Sequence, residues 1–578
     1  MVRGTLRAAL LGAATAALLG ASAAHAASVT ETPVQIPASM PDDSGAPVLL
    51  DGGVDVPSEG CPCPGVILNH GFLGNWHNSG DLARQLAARG YVVLRYSSRG
   101  FGNTPGEVDL MGPKERQDLL DAVHWLNASE AAPIKGLVRH NDIGQYGASY
   151  GGAHAWSLAL SNDPAVRTVV PTATWTDIYD ALLPNDVELL FYTNGFYATG
   201  LTPVAAAQDS ELSTDDNYSQ EMHRWVAEAN TGLNTQDLEV GLDSRSVTGR
   251  YGDIHIPVFI VQGTNDGLFS QNQAVDAYRA LDGHVPVRLY VGGVGHPPSN
   301  SDENSPEAQH IGAEVLAWFE HYLKGVDNGI DRMPPIEYSH AKYFDNTWDH
   351  KTVSANRYPF GPAKRMYLCA ATPQGGTLSD APCDSSAVPA AVTNSAGQGL
   401  DEEPYTGGYA IQLHQGLQDN TGQDFDLSQA PPTLSFDGPV LTKPLDLVGI
   451  PHFHYEVASA SILPAGVKGG AAAYQLDPKL YDVDADGKAT IITRGAWSEQ
   501  LNSQQPTDLG QHGVEFDAFG LSYTLPAGHH LRIALTSSDG AYLRPTPNPF
   551  AAVLFPGTSV TLPSGADMFP TPPMEDQQ

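Results

Sequence analysis

A chain of 578 residues is too long for one ordinary core, and 41% hydrophobic against 16% charged residues excludes a largely disordered protein. The formal net charge of −35 repels phosphate backbones and anionic lipid surfaces, which argues against nucleic acid and membranes as partners. The first 26 residues are read as a secretory signal peptide. Arg3 and Arg7 give a basic start, 8–20 is an apolar run too short to span a bilayer, and Ala24-His25-Ala26 is a small-x-small cleavage site. The mature protein is therefore expected to be secreted.

Residues 27–60 are rich in Pro and Gly and read as an edge strand with loops. Beyond them strands and helices alternate: strand 65–69, helix 81–89, strand 91–95, helix 114–127, strand 143–146, helix 150–160 and strand 168–170. Two more strands follow at 257–261 and 287–291, and an amphipathic helix at 313–323 closes the series. Continuous Val/Ile/Leu strands alternating with helices predict a mostly parallel α/β sheet covered on both faces. The rhythm breaks at about 178–250, where helix-like stretches carry clustered aromatics; this is read as a helical cap inserted over the sheet.

After about residue 330 the pattern changes. Residues 331–335 read as a linker, and 331–578 as short β-rich runs between Gly, Pro, Asn and Asp clusters, an all-β sandwich. Asp482-Val483-Asp484-Ala485-Asp486-Gly487 imitates a calcium loop, but its twelfth position is Thr493, where a bidentate Glu is needed. A hairpin turn is the better reading, and no metal or cofactor is expected. Four cysteines in an exported chain predict disulfides: Cys369 with Cys383, and Cys61 with Cys63 unless these stay free.

The chemistry concentrates at Gly147-Ala148-Ser149-Tyr150-Gly151, a G-x-S-x-G pentapeptide between a strand and a helix. A nucleophile on so tight a turn needs neighbours without bulk, and the helix behind it offers positive dipole ends to an oxyanion. A serine also needs a base, and the base an orienting acid. Asp266 follows the strand at 257–261 and His296 the strand at 287–291, both at carboxyl ends of parallel strands, where such sheets keep their sites. Asp177 is the rival acid and His310 the rival base. The oxyanion donors are assigned to the backbone N–H groups of Tyr150 and of Phe72, in the loop Asn69-His70-Gly71-Phe72.

Five stretches stand out together: Tyr96-Ser97-Ser98-Arg99-Gly100-Phe101-Gly102 with Gly106 beyond, the run Gly147 to Gly152, Gly263 to Phe269, and two late runs, Leu480-Tyr481-Asp482-Val483 and Ala527-Gly528-His529-His530-Leu531-Arg532. With them the chain resembles the Xaa-Pro dipeptidyl-peptidase / cocaine-esterase family of α/β-hydrolases. The resemblance implies an α/β-hydrolase catalytic domain over 27–330 with its cap, and a C-terminal jelly roll over 331–578. It also implies a triad of Ser149, Asp266 and His296, cleaving esters or releasing Xaa-Pro dipeptides. The chain departs from the family in one place. Members often present a tyrosine hydroxyl to the oxyanion from a Pro-Tyr turn, whereas Phe72 has no hydroxyl and leaves that work to backbone.

Three functions follow from this reading: an acyl esterase, an exopeptidase taking Xaa-Pro from short peptides, and a non-catalytic glycan- or peptide-binding protein. An exopeptidase must neutralise a substrate ammonium, and Asp186 and Glu188 are the candidates, beside the aromatic wall of Phe191, Tyr192 and Trp225. The expected substrate is a small ester or short peptide.

Overall fold

The computed structural model describes residues 28–200, 218–230, 236–264, 266–296, 305–339, 352–394, 434–461, 472–500, 510–537, 543–544, 546 and 550–572. The signal-peptide reading falls outside these residues. No helix among them is long and apolar enough to cross a membrane.

The first unit is built on one eleven-stranded sheet. Its strands are β1 (Val29–Pro37), β2 (Leu49–Pro57), β3 (Cys63–Asn69), β4 (Val92–Tyr96), β5 (Val138–Ala148), β6 (Val166–Thr172), β7 (Val258–Gly263), β8 (Val287–Gly292), β9 (Ile336–Ser339) and β10 (Thr352–Ala355), with Phe569–Pro570 at the far edge. In space the order is β1-β2-β4-β3-β5-β6-β7-β8-β9-β10. From β4 to β9 the pairs are parallel, and the outer pairs antiparallel. Alternate side chains feed two cores, as the two-residue period of a strand requires. Val66 and Leu68 of β3 pack under helices α1 (Gly80–Ala88) and, with Trp318 and Phe319, the last helix of the unit, while Ile67 faces the opposite core. That opposite core holds α2 (Pro113–Ala128), α3 (Tyr150–Ser161) and the helix Gln271–Leu281.

The insertion is helical as expected. It contains α4 (Ile178–Leu182), α5 (Leu190–Gly200), α6 (Gln220–Asn230) and α7 (Gln236–Asp243). The remaining helices are α8 (Gln271–Leu281) and α9 (Pro306–Lys324).

Three sequence expectations need correction. Residues 27–60 hold two nine-residue strands rather than one, because Pro33 and Pro37 sit on the outermost strand, where a missing N–H costs little. Helix α9 begins seven residues before 313: the Ser305 hydroxyl accepts from the Ala308 N–H at 3.1 Å and Pro306 occupies the first turn, a start signal that the apolar periodicity does not contain. Residues 331–335 are not a free linker. The Leu289 N–H donates to the Pro335 carbonyl at 2.8 Å, and β9 then continues the sheet in parallel with β8, its Ile336 and Tyr338 fully buried.

The described residues beyond β10 form strands and loops. Their main sheet includes the strands His452–Ser461, His530–Thr536 and Asp477–Val483, over a core of Phe453, Tyr455, Leu480, Phe516 and Ile533. The imitation calcium loop is a hairpin turn, with the Asp484 carboxylate accepting from the Asp486 and Lys488 N–H groups at 2.9 Å each. Both expected cysteine pairs are bonded, Cys61 with Cys63 and Cys369 with Cys383.

Candidate active site

Ser149 stands between the end of β5 and the first residue of α3, at φ 58° and ψ −123°. That conformation is strained for any residue with a Cβ, and it persists because its surroundings fix it. A Cβ on Gly147 would lie 2.2 Å from the Gly151 carbonyl oxygen, and one on Gly151 would lie 2.3 Å from that of Asn69. Both contacts are to backbone and cannot relax by a side-chain shift. The two glycines let strand, turn and neighbouring loop close on one another, and the serine is left at the apex.

The sheet brings the other two predicted residues to it. His296, four residues past β8, places Nε2 at 2.9 Å from Ser149 Oγ and Nδ1 at 3.0 Å from both carboxylate oxygens of Asp266. Asp266 Oδ1 also accepts from the Leu268 and Phe269 N–H groups at 2.9 and 3.0 Å, which fixes the carboxylate before it meets the imidazole. The Phe269 ring stands edge-on to His296 at 5.0 Å. A carboxylate holding Nδ1–H leaves Nε2 free to accept the serine proton, the geometry of an activated nucleophile. The rivals lie elsewhere. Asp177 caps α4, accepting from the Asp180 N–H at 3.0 Å. His310 meets Glu337 at 2.8 Å and, with Glu314, forms a buried acidic group already held by the Arg288 guanidinium, so no cation is needed there.

Tyr150, with the first N–H of α3, and Phe72 line one cavity with Ser149. Behind them is a polar group that sequence reasoning missed. The Ser98 N–H donates to His70 Nε2 at 3.0 Å, so the proton of His70 sits on Nδ1, which donates to the Gly71 carbonyl at 2.7 Å. His154 Nδ1 likewise donates to the Tyr150 carbonyl at 2.8 Å, and its Nε2 accepts from the Ser98 hydroxyl at 3.1 Å. Burial pushes His70 down to about 4 and His154 down to about 3, so both rings are neutral props. Each fixes a peptide beside an assigned oxyanion donor. His154 was findable, since it sits one helical turn from Tyr150; the role of Ser98 depends on a fold contact that no spacing shows.

The cavity over Ser149 has a volume of about 90 Å³ and apolar walls, among them Phe72, Tyr192, Tyr197, Tyr218, Met222 and Phe269. Of the four proposed substrate-binding residues whose side chains are described, only Tyr192 lines it. Trp225 is buried beneath Arg245, whose guanidinium lies 4.5 Å from its ring, and it packs against Gly241. Asp186 accepts from the Tyr179 hydroxyl at 2.7 Å. Glu188 is buried against Arg544 of the β domain. The side chain of Phe191 lies outside the described residues. The expectation that acidic cap residues face the substrate is thus corrected: the fold spends both carboxylates on internal partners.

Comparison with known proteins agrees with this architecture. Residues 24–297 match the family model of the X-Pro dipeptidyl-peptidase (S15 family), and residues 328–553 that of the X-Pro dipeptidyl-peptidase C-terminal non-catalytic domain. A Rhodopirellula baltica protein that carries the provisional name Xaa-Pro dipeptidyl-peptidase is 24% identical over 82% of this chain and 72% of its own. The cocaine esterase of a Rhodococcus species is 22% identical over 78% of this chain and 81% of its own. A solved alpha-amino acid ester hydrolase superposes with a TM-score of 0.67 at 16% identity, covering 94% of this chain and 98% of that one. With two successive domain models matched in order and an α/β-hydrolase fold followed by an all-β domain, the chain belongs to the Xaa-Pro dipeptidyl-peptidase / cocaine-esterase family of α/β-hydrolases.

Proposed function

We propose that this hydrolase is a secreted acyl esterase that works through an acyl-enzyme on Ser149. Its carrying observation is the hydrogen-bonded series from Ser149 Oγ through His296 to Asp266. In this reading His296 takes the serine proton as Oγ attacks the ester carbonyl, then protonates the departing alkoxide. The acyl group is afterwards transferred to water by the same base, and the carboxylic acid leaves. The Tyr150 and Phe72 N–H groups are assigned to the oxyanion of each tetrahedral intermediate. Secretion rests on residues 1–26, and a mature protein starting at Ala27 by mass spectrometry of culture supernatant tests it.

The ester reading is favoured over the exopeptidase by the cavity walls. No carboxylate is among the described residues that line it, and an ammonium without a carboxylate partner is costly to bury against such walls. The exopeptidase stays as the second reading because the matched models and a relative carry that name. The test is hydrolysis of a short-chain p-nitrophenyl ester and of Ala-Pro-p-nitroanilide by the mature protein and by Ser149→Ala. Ester turnover alone, lost in the variant, supports the proposal. Efficient anilide turnover, blocked by acetylating the substrate amine, replaces it with the exopeptidase. A Ser149→Ala variant with full activity overturns both.

A further inference from the structure

A second cavity, of about 310 Å³ against about 90 Å³ for the one over Ser149, opens along the later turns of α3. Its floor is apolar: Trp156 and Leu160 from α3, Leu119 and Leu120 from α2, and Trp175, which lines both cavities. Arg116, Arg245 and Arg250 also line it, and no Asp or Glu does among the described residues. In a chain with 65 acidic residues against 30 Lys and Arg, three guanidinium groups around one apolar hollow run against the composition.

The three arginines are not equally engaged. Arg245 is satisfied: it pairs with Asp109 at 2.6 Å, donates to the Gly241 carbonyl at 2.8 Å and stacks on Trp225. Among the described residues Arg250 makes one ion pair, an exposed one with Asp253 at 3.6 Å. Arg116 donates to the Ser244 carbonyl at 2.9 Å and has no ion pair among the described residues. Burial, then the charges of Arg245 and Arg250, hold its guanidinium below the usual arginine range. Arg116 is a partly buried cation with no direct ion pair among the described residues, Asp109 and Glu115 acting on it without touching it.

We infer that this cavity binds an amphipathic organic monoanion, a carboxylate with an aromatic or branched hydrocarbon body. The carboxylate would take the Arg116 fork with Arg250 beside it, and the body would lie against Trp156 and Trp175. An amphipathic monoanion suits the cavity better than phosphate does, because the aromatic and aliphatic floor gains only from a hydrocarbon body, while Ser157, Ser161, Thr176 and Ser246 can add hydrogen bonds at its polar part. The volume falls at the lower end of ordinary small-molecule sites. The inference does not depend on the proposed ester chemistry, because no member of the assigned triad lines the cavity.

The probe is 4-phenylbutyrate, titrated against full-length mature protein with intrinsic tryptophan fluorescence and calorimetry as readouts. Ser149 is first blocked with a fluorophosphonate so that the catalytic cavity is occupied. The expected result is saturable binding that weakens about tenfold or more in Arg116→Gln and survives in Arg116→Lys, since a charged hydrogen bond is lost only in the first. Arg250→Gln, at an exposed position, should weaken binding without disturbing the fold and serves if Arg116→Gln does not fold. The neutral 4-phenylbutan-1-ol should not compete. Absence of saturable binding, equal binding of the alcohol, equal displacement by inorganic phosphate, or indifference to both arginine substitutions each overturns the inference. Failure of Ser149 to react with the fluorophosphonate overturns the ester proposal instead; the titration then runs on Ser149→Ala, with the same criteria.

Discussion

Arg544→Ala tests how the β domain holds the cap. Arg544, in the β domain, is tied three ways to the cap. Its N–H donates to the Glu188 carbonyl at 2.8 Å, its guanidinium to the Glu188 carboxylate, and its Nη2 to Asn230 Oδ1 at 2.8 Å. The side chain of Glu188 is 2% exposed and that of Arg544 is 21%. Removing one partner of a buried pair leaves a charge without compensation and costs about 3–5 kcal/mol; the partial exposure of Arg544 puts the expected loss near ~3 kcal/mol. The loss must depend on pH. Burial already raises the Glu188 carboxyl above its usual range, and Arg544 opposes that shift. Without Arg544 the folded-state value rises further, so the penalty is absent below the unfolded value of about 4.3 and grows as pH rises through the folded one. Urea unfolding at pH 5 and pH 8 would show it, with Glu188→Gln/Arg544→Met recovering much of the stability. Because α5 follows Glu188 directly and carries Tyr192 over Ser149, KM for an ester should rise more than kcat falls. An Arg544→Ala protein within about 0.5 kcal/mol of the parent at pH 8, or a loss equal at both pH values, would refute the reasoning.

Three further outcomes are expected. Asp266→Asn should keep the fold but lower kcat by about 10⁴, since the amide no longer holds Nδ1–H toward itself; a drop under about tenfold would return the acid role to another residue. Glu115, buried beneath the nucleophile loop and pushed up to about 7 by that burial, contributes stability that is complete below its unfolded value and lost as pH rises through about 7. Parent and Glu115→Gln should therefore diverge in thermal stability above neutral pH and converge near pH 4–5, which differential calorimetry can follow. Replacing Cys369 and Cys383 by Ser opens a loop with a sequence separation of 14 and should cost the β domain about 3 kcal/mol in denaturant unfolding, leaving ester kinetics unchanged.

The parts of the site legible in the sequence are those whose constraint is local. The turn at Ser149 is written in Gly147 and Gly151 because a Cβ on either would meet backbone at under 2.5 Å. Asp266 and His296 are legible because a parallel sheet delivers the ends of its strands to one edge. Glu188 was misread because its acidity is visible in sequence, while Arg544, 356 residues away, is not. Trp225 was misread for a related reason: an aromatic in the cap looks like a substrate wall until Arg245 and Gly241 are found against it. The strands β9 and β10 are four residues each, too short to show a period, and the pairing of β10 with the far edge Phe569–Pro570 is set by residues over two hundred positions on.

The departure at Phe72 and the fate of Glu188 bear on the same question. Where the family often supplies a hydroxyl, this chain has a phenyl ring stacked 6.2 Å from Tyr218 and edge-on to Tyr150 at 6.0 Å, so the ring becomes a wall of the cavity. Where an exopeptidase needs an acid for the substrate ammonium, Asp186 and Glu188 are turned to Tyr179 and Arg544. Among the described residues the space above Ser149 is walled by apolar and aromatic side chains. A hollow of that kind stabilises a hydrocarbon acyl group by burial, at about 25 cal/mol per Å², and penalises an unpaired ammonium by several kcal/mol. The discrimination therefore lies in what the cavity rejects, and acetylating the amine of a dipeptide ester should improve its kcat/KM here, the reverse of what an exopeptidase requires. A free amine preferred over its acetylated form would place a carboxylate within reach of Ser149 and return the chain to the peptidase reading.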